Sequence, residues 1–405
     1  MGSSFNLVKK PNKEEEFEEE EENVVLDEDK PSKKSGDDDM KKRLFLLMGI
    51  IVGGVIILLF ILWIVSLLSP KNYSYDDIEA IMTDAAKSYF ADYPNYLPAN
   101  DGDIVEINAV NLVAAEKMKD LSEYRSDVAC AGTVQVQKAG NDYLYVPYLN
   151  CGDSYYSVEL YNKVLTDNPA TTSGEGLYDY NNSHVFRGEN VNNYVQLEKS
   201  LWRIVKITAE GEVVLIHDKG LDYYQPWDDR YNEERLYESG INTYNVSRMK
   251  EYLEKVFSNP NADNGEDILS DKDKARMVTY TLCVGNRAVT SESKNNSEEC
   301  RQKLQTQKMG LLTLSDYLYA SLDTTCKSAS TKSCMNYNYL SMDDEWWLVT
   351  PNAENTSTVY KVDKTGVVKA DIASTYSKVR PVIHLNTRAM YLEGKGTLEE
   401  PYKIK

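Results

Sequence analysis

Histidine, phenylalanine and positive charge are scarce in this chain. Its 405 residues include three His, seven Phe, and 45 Lys and Arg against 64 Asp and Glu, so the formal net charge at pH 7 is −19. A chain with so little positive charge lacks the electrostatic surface that binds a phosphate backbone, and we expect no nucleic-acid partner. Because the histidines are far from the cysteines in sequence and no C-x-x-C occurs, we also expect no metal site and no cofactor.

Sequence signatures of the common enzyme classes are also missing. The chain has no G-x-S-x-G, H-E-x-x-H, G-x-G-x-x-G or P-loop motif. Lys364-Thr365-Gly366 matches one motif of the penicillin-recognising enzymes and Ser291 to Lys294 matches another, but the S-x-N motif that belongs between them is missing. The sequence therefore offers no catalytic residues, and we expect a protein without enzymatic activity.

One long apolar segment, residues 44–69, predicts a transmembrane helix. Residues 44–68 carry no charged side chain, and a helix of this length spans about 37 Å, enough to cross a hydrocarbon core of about 30 Å. Because Lys41, Lys42 and Arg43 precede the segment, the positive-inside bias places the N-terminus in the cytoplasm and the C-terminus outside the cell. A cleaved signal peptide is the alternative, but no A-x-A site follows the apolar run. We thus expect a single-pass type II protein of the cell membrane, with the lipid bilayer as one partner.

The segment before the membrane, residues 1–43, is rich in charge and poor in large apolar side chains. Such a composition cannot bury enough surface to offset the entropy of ordering, so this segment is predicted to be a disordered acidic cytoplasmic tail. Two interpretations of the tail stay open. It is either a docking segment for a cytoplasmic partner or a solvated charge run that keeps the tail soluble.

All six cysteines follow the apolar segment, on its predicted outer side. An even number of cysteines in an exported region favours disulfides over metal sites. The sequence cannot select one set of pairs, and nearest neighbours are the simplest choice. The predicted disulfides are Cys130–Cys151, Cys283–Cys300 and Cys326–Cys334.

The exported part begins with a helix and a hairpin. Apolar residues at three-to-four spacing predict a helix over 73–92, with Ser74 and Asp77 as a capping box, and a shorter helix over 108–119. Alternating residues on both sides of a turn at 140–142 then predict a β-hairpin.

A linker and a larger domain are predicted to follow. Residues 152–179 are rich in Gly, Asn, Asp and Ser and predict the linker, and residues 180–405 predict the larger domain. Strands are predicted at its start, where 194–218 reads as an antiparallel meander, and in its last 60 residues. Helices are predicted between them, including one over 315–322 with Ser315 as its N-cap. This order of elements predicts an α+β fold.

The membrane-proximal unit, residues 70–151, resembles two kinds of protein. A long helix capped by a small disulfide-clamped sheet is similar in shape to type IV pilins and pseudopilins. The segments that read KSYFADYPNYLP, VNLVAAEKMKDL and YVPYLNC resemble the N-terminal unit of uncharacterised exported proteins of Firmicutes. The resemblance implies a pilin-like domain.

The distal domain, residues 180–405, resembles a family of uncharacterised Firmicutes membrane-anchored ectodomains. The segments that carry the resemblance read FRGENVNNYV, LWRIV, GLLTLSDYLYAS, EWWLVTP, VRPVIHLN and GKGTLEEPYKIK. The order of a Trp-rich strand, a hairpin and an Arg-containing final strand resembles the C-type-lectin-like and sulfatase-modifying-factor-like fold group. The resemblance implies a surface or secreted protein without an assigned reaction.

Adjacent Trp346 and Trp347 are the predicted centre of a ligand-binding surface. Successive side chains on a strand point to opposite faces, so we expect at most one indole in the core and the other open to a partner. Asn352, Glu354 and Asn355 follow the strand and would supply hydrogen bonds. Such a surface favours a cell-surface glycan or protein as partner, and burial of both rings is the alternative.

Three functions stay open on the sequence alone. The first is a non-enzymatic binding or adhesion ectodomain held at a bacterial surface. The second is a structural or sensor subunit of a pilus-like or envelope assembly. The third is a sulfatase-modifying-type enzyme, which would require reactive or metal-binding cysteines.

Overall fold

The structure, a computed structural model, describes residues 37–68, 72–100, 102–139, 142–235, 240–259 and 266–405. The chain forms two compact units, residues 1–69 and 70–405. Residues 1–36 of the predicted tail lie outside the described residues. Of the predicted turn at 140–142, residues 140 and 141 also lie outside them.

The first unit contains helix α1 (Asp37–Leu68). Within it, residues Leu46–Trp63 have a mean hydropathy of 2.9, and none of these side chains is buried. This helix is long and apolar enough to cross a membrane, as predicted. It begins at Asp37, so residues 37–43 are helical although the sequence predicted a disordered tail up to residue 43.

The second unit contains two separate hydrophobic cores. We name the parts around them the small lobe, residues 72–157, and the large lobe, residues 158–405. The small lobe consists of α2 (Tyr75–Asp92), β1 (Ile104–Asn108), α3 (Ala109–Ala114), α4 (Leu121–Tyr124), β2 (Ala131–Ala139) and β3 (Asp142–Asn150), with short 3-10 helices at Pro94–Tyr96 and Gly152–Ser154.

Helix α2 begins at the predicted capping box. The Asp77 amide donates to Ser74 Oγ at 3.1 Å, and the Ser74 amide donates to Asp77 Oδ2 at 3.2 Å. The apolar face of α2 packs on an antiparallel sheet of order β1-β2-β3. Gly132 permits the close approach, because a Cβ atom there would lie 2.5 Å from Met82 Cε. The predicted helix and hairpin are confirmed, whereas β1 was not predicted and the helix expected over 108–119 ends at Ala114.

The large lobe contains these helices and strands: α5 (Leu160–Asp167), β4 (Gly176–Tyr180), β5 (Ser183–Arg187), β6 (Tyr194–Gln196), β7 (Leu201–Ile207), β8 (Val213–His217), β9 (Gln225–Pro226), α6 (Arg248–Ser258), α7 (Asp271–Ala275), β10 (Met277–Val278), β11 (Tyr280–Cys283), β12 (Lys303–Gln307), α8 (Leu314–Ala320), β13 (Trp346–Pro351), β14 (Thr358–Val362), β15 (Val368–Ile372), β16 (Tyr376–Ser377), β17 (Val382–Leu385), β18 (Tyr391–Glu393) and β19 (Tyr402–Ile404). Short 3-10 helices lie at Glu233–Arg235, Tyr244–Val246, Glu299–Arg301 and Lys332–Met335.

The main sheet of the large lobe has the order β10-β17-β8-β7-β6-β19-β18, and the β4–β5 hairpin joins it through β7. The predicted meander is confirmed, because β6, β7 and β8 pair antiparallel in sequence order. A smaller sheet has the order β13-β14-β15, and two ribbons pair β11 with β12 and β9 with β16. Sheets and helices share one core, so the fold is α+β, as predicted.

The segment predicted as a linker, residues 152–179, is folded. It contains α5 and most of β4. Leu160 and Val164 of α5 are fully buried in the core of the large lobe. This stretch is therefore part of the folded core rather than a linker, and its polar composition reflects turns between short elements.

All six cysteines lie in the described part of the chain and all are paired. The pairs are Cys130–Cys151, Cys283–Cys300 and Cys326–Cys334. The predicted nearest-neighbour pairing is confirmed. The first disulfide closes the small lobe on itself, and the other two lie within the large lobe.

A charged contact joins the two lobes. Lys405 Nζ lies 2.7 Å from Asp76 Oδ1 and also contacts the carboxylate of Glu79, which is buried on α2. Tyr155 OH donates to Glu79 Oε1 at 2.9 Å. Because a buried carboxylate requires such partners, this contact fixes the large lobe against α2.

Candidate functional site

The predicted tryptophan pair does not form an open surface. Trp346 and Trp347, on β13, are both 0% exposed. The Arg380 guanidinium lies 4.6 Å from the Trp346 ring centroid, and Tyr317 packs edge-on against the same ring. The prediction that one indole is free for a partner is therefore wrong, and the alternative of two buried rings is correct. The two rings do leave opposite faces of the strand, but both faces are covered.

A two-stranded ribbon supplies part of the cover over Trp347. The indole Nε1 donates to the carbonyl of Gln225 on β9 at 3.0 Å. Lys361 Nζ lies 5.4 Å from the centroid of the ring. Lys361 is itself nearly buried and forms ion pairs with Glu345 at 3.0 Å and Asp371 at 2.7 Å. This polar cluster between the strands leaves no room for a ligand on the ring.

The predicted polar residues after β13 shape a turn. Asn352 Nδ2 donates to Thr358 Oγ1 at 3.0 Å, and Asn352 Oδ1 accepts from the Glu354 amide at 3.1 Å. Asn355 Oδ1 accepts from the Ser357 amide at 2.8 Å. Both asparagine side chains are thus committed to local hydrogen bonds, while Glu354 is exposed. A ligand-binding role for these three residues stays a prediction.

Exposed tyrosines lie on the ribbon and directly beside it instead. Tyr376 of β16 pairs with Pro226 of β9, and Ser377 pairs with Gln225. Tyr224 directly precedes β9 and Lys378 directly follows β16, so these two residues lie next to each other at one end of the ribbon. Tyr376 is 62% exposed and Tyr224 is 41% exposed. We name Tyr224, Tyr376, Lys378 and Asp344 the tyrosine face.

Two contacts fix the ring of Tyr224 on this face. Its hydroxyl donates to Asp344, with distances of 2.6 and 2.7 Å to the two carboxylate oxygens. Lys378 Nζ lies 5.9 Å from the ring centroid. The hydrogen bond to Asp344 raises the pKa of Tyr224 to about 12, because ionisation would place two negative charges side by side. Tyr224 is therefore a neutral, oriented ring at the surface.

A second feature of the large lobe is a cavity of about 130 Å³. We name it the lysine pocket. Among the side chains that line it are two lysines, one carboxylate, one amide and two tyrosine rings: Lys206, Lys294, Asp316, Asn296, Tyr180 and Tyr319. They come from the β4–β5 hairpin, from β7, from α8 and from the loop 284–299. The pocket therefore joins four elements that are distant in sequence.

An ion pair lies at the pocket wall. Lys206 Nζ is 3.0 Å from Asp316 Oδ1, and Asn296 Nδ2 donates to the same oxygen at 3.2 Å. Burial alone would raise the pKa of Asp316, but the charge of Lys206 and these hydrogen bonds hold it below its usual value. Asp316 is thus a stable carboxylate.

A disulfide at its two ends and a buried ion pair within it hold the loop 284–299. The disulfide Cys283–Cys300 closes it. Within it, Arg287 Nη1 lies 3.2 Å from Glu299 Oε1, and both side chains are completely buried. Arg287 also donates to the carbonyls of Ser291 and Ser293. The loop is therefore closed by a covalent bond and held internally by a buried ion pair and hydrogen bonds.

The start of α8 forms hydrogen bonds with Glu299 of the buried Arg287–Glu299 pair. Sequence reasoning placed Ser315 at the N-cap, but the cap is Thr313, whose side chain accepts from the Asp316 amide at 3.1 Å. Ser315 instead donates through its amide and its hydroxyl to Glu299, at 3.1 and 2.9 Å. The capping prediction was wrong by two residues because Ser315 satisfies a buried carboxylate.

The sequence missed every residue of the lysine pocket. Lys294 was noted only as the end of a motif of penicillin-recognising enzymes, and Lys206 and Asp316 lie 110 positions apart in the chain. The one local signal was the pair Cys283 and Cys300, which brackets a polar loop. In the described part of the chain, no group of three or more His, Cys, Asp or Glu is placed to hold a metal ion.

Comparison with known proteins gives one match. A family model described as a domain of unknown function, DUF6273, matches residues 210–387. No curated protein matches the chain, and no solved structure matches it. The match includes β8 to β17, with the ribbon, the tyrosine face, and Lys294 and Asp316 of the lysine pocket. Over residues 210–387 the chain is thus similar to an uncharacterised domain family.

Proposed function

We propose that this protein is a membrane-anchored bacterial surface protein whose 70–405 unit binds a cell-surface polysaccharide and catalyses no reaction. The observation that carries the proposal is the tyrosine face, where the exposed ring of Tyr376 lies on the ribbon and that of Tyr224 lies at its end, next to a buried core. Helix α1, which fits a membrane span, and three disulfides, which are typical of exported proteins, support the proposed location.

The chemistry of the tyrosine face suits a sugar. An aromatic ring offers a flat apolar surface that the C–H face of a pyranose can cover, and tyrosine adds a hydroxyl for hydrogen bonding. Asp344 and Lys378 lie beside Tyr224 and would bind sugar hydroxyls. The ring of Tyr224 is fixed before binding, so it loses little entropy when the ligand arrives.

Replacing Tyr376 by alanine is expected to weaken polysaccharide binding about tenfold, a loss of about 1.4 kcal/mol. The ring is 62% exposed, so its removal takes away contact area with little effect on the core. Binding of the full chain in detergent to immobilised peptidoglycan and to purified cell-wall polysaccharide would measure the loss. The melting temperature should stay unchanged.

Tyr156→Ala is the matched control, since Tyr156 is 65% exposed and lies in the small lobe. It should bind like the unchanged chain. Equal losses for Tyr156→Ala and Tyr376→Ala, or no binding by the unchanged chain to any polysaccharide tested, would reject the proposed function. Binding to a surface protein alone would point to that class of partner instead.

The proposed orientation is type II, with residues 70–405 outside the cell. Protease added to intact cells is expected to digest this unit and to spare residues 1–43, because the membrane protects a cytoplasmic tail. Immunoblots with antibodies against the tail and against the large lobe would distinguish the two fragments. Loss of the tail signal from intact cells would reverse the orientation.

The other functions receive less support. A sulfatase-modifying-type enzyme would require reactive or metal-binding cysteines, and all six cysteines here are paired. A structural or sensor subunit, and a cytoplasmic partner for the acidic tail, rest on the sequence alone.

A further inference from the structure

We propose that the lysine pocket is a second ligand site, and that it binds the anionic group, a carboxylate or a phosphate, of a small ring-bearing molecule. The pocket is formed by other elements than the tyrosine face, and it has charges and contacts of its own. Its volume of about 130 Å³ has room for several water-sized groups, which is the size of one anionic group with part of a ring.

The charges on the pocket wall favour an anion. Lys206 and Lys294 line the pocket and carry two positive charges, against one negative charge on Asp316. Asp316 pairs with Lys206 at 3.0 Å. Lys294 forms no ion pair with a described residue, and the nearest opposing influence on it is the charge of Asp323, which does not line the pocket. This positive wall stands out in a chain whose net charge is −19.

Lys294 has hydrogen-bonding capacity to spare. Among the described residues its Nζ donates to a single acceptor, the carbonyl of Cys326. An ammonium group has three donors, so two stay available for a ligand. Burial, together with the charges of Arg187 and Arg287, lowers the pKa of Lys294, and the negative charge of Asp323 opposes this lowering only in part.

Arg187 adds to the positive field behind the pocket. It donates to the carbonyls of Tyr319 and Ser321, each at 2.8 Å. Its guanidinium lies 4.8 Å from the Tyr178 ring centroid and 4.6 Å from that of Tyr319. These groups are neutral, so in the described chain Arg187 forms no ion pair. Its charge is therefore available to attract an anion at short range.

An aromatic wall lies beside the charges. The rings of Tyr180 and Tyr319 both line the pocket, with their centroids 4.0 Å apart. The loop that carries Lys294 and Asn296 is held by the disulfide and the buried Arg287–Glu299 pair, so the donors keep their positions before a ligand arrives. Fixed cations beside a flat apolar wall suit an acidic sugar or a phosphorylated sugar or polyol.

The test is calorimetric titration of the full chain in detergent with three probes, D-glucuronate, inorganic phosphate and neutral D-glucose. At least one of the two anions should bind at least tenfold more tightly than glucose, with an affinity that falls as salt rises. Binding of glucuronate alone assigns a carboxylate, and binding of phosphate alone assigns a phosphate. If neither anion binds more tightly than glucose, the proposal fails.

Two variants locate the site. Lys294→Gln should weaken binding of the anion at least tenfold, and Lys294→Arg should keep most of it because the charge stays. Lys364→Gln is the matched control, since Lys364 is exposed in the turn between β14 and β15 and lies outside the pocket. Anion binding that survives Lys294→Gln unchanged, or that falls equally with Lys364→Gln, overturns the proposal. Tyr376→Ala should leave anion binding intact, so this test and that of the tyrosine face can fail separately.

Discussion

Replacing Arg287 by methionine is expected to destabilise the 70–405 unit by about 3 to 5 kcal/mol, because it leaves the carboxylate of Glu299 charged and buried without its cation. Both side chains of the pair are completely buried and their charged atoms lie 3.2 Å apart. Hydrogen bonds from Ser315 to Glu299 offset only part of the loss. Thermal unfolding followed by circular dichroism should show a midpoint lower by about 4 to 7 °C, given the size of this unit.

The double variant Arg287→Met with Glu299→Gln is the control for this effect. Glutamine keeps an acceptor for Ser315 and removes the negative charge, so the double variant should be more stable than Arg287→Met alone. The two single losses should therefore not add. Additive losses would mean that the pair contributes packing rather than charge compensation.

Prediction from sequence succeeded where the signal was local. The capping box at Ser74 and Asp77, the meander over 194–218 and the nearest-neighbour disulfides each depend on residues close together in the chain. Capping-residue types, periodicity and turn composition indicate the first two, and the disulfide pairs followed from sequence proximity alone.

Prediction failed where a strand was short or lay in a segment of polar composition. Most of β4 was assigned to the predicted linker and β5 was not predicted as a strand, although Asn181 and Asn182 at the turn between them have φ values of 50° and 60°. Asparagine tolerates this left-handed region, so the Asn-Asn pair between Tyr180 and Ser183 was a usable hairpin signal. This signal was not used because the polar composition of the preceding residues favoured a linker.

The candidate sites depend on pairs that no local pattern reveals. The ribbon over Trp347 pairs Gln225 with Ser377 through strands of two residues each, too short for any alternation to be visible. Lys206 and Asp316 meet across the sheet and α8. The pleat rule correctly put the two indoles on opposite faces, but it could not state whether another element covers the second face.

The two indoles are expected to contribute equally to stability through packing and to differ in the hydrogen bonding of their Nε1 atoms. Trp346→Ala and Trp347→Ala should each cost about 3 to 5 kcal/mol, because each removes a fully buried ring. Urea unfolding of the two variants would measure these losses. A loss of stability below about 0.5 kcal/mol for either variant would indicate that the ring is exposed rather than buried. It would then support the prediction from sequence that this ring binds a partner.

Phenylalanine at each position separates the hydrogen bond from the packing. Trp347 Nε1 donates to the Gln225 carbonyl at 3.0 Å, whereas Trp346 Nε1 has no hydrogen-bond partner among the described residues. Both changes remove a similar ring volume, but only Trp347→Phe also breaks the bond that ties β13 to the ribbon. We therefore expect Trp347→Phe to be the less stable of the two by about 1 to 2 kcal/mol.

Since the ribbon carries Tyr376, Trp347→Phe should also weaken polysaccharide binding while Trp346→Phe leaves it unchanged. Equal stability and equal binding of the two variants would mean that Gln225 does not anchor the tyrosine face through Trp347.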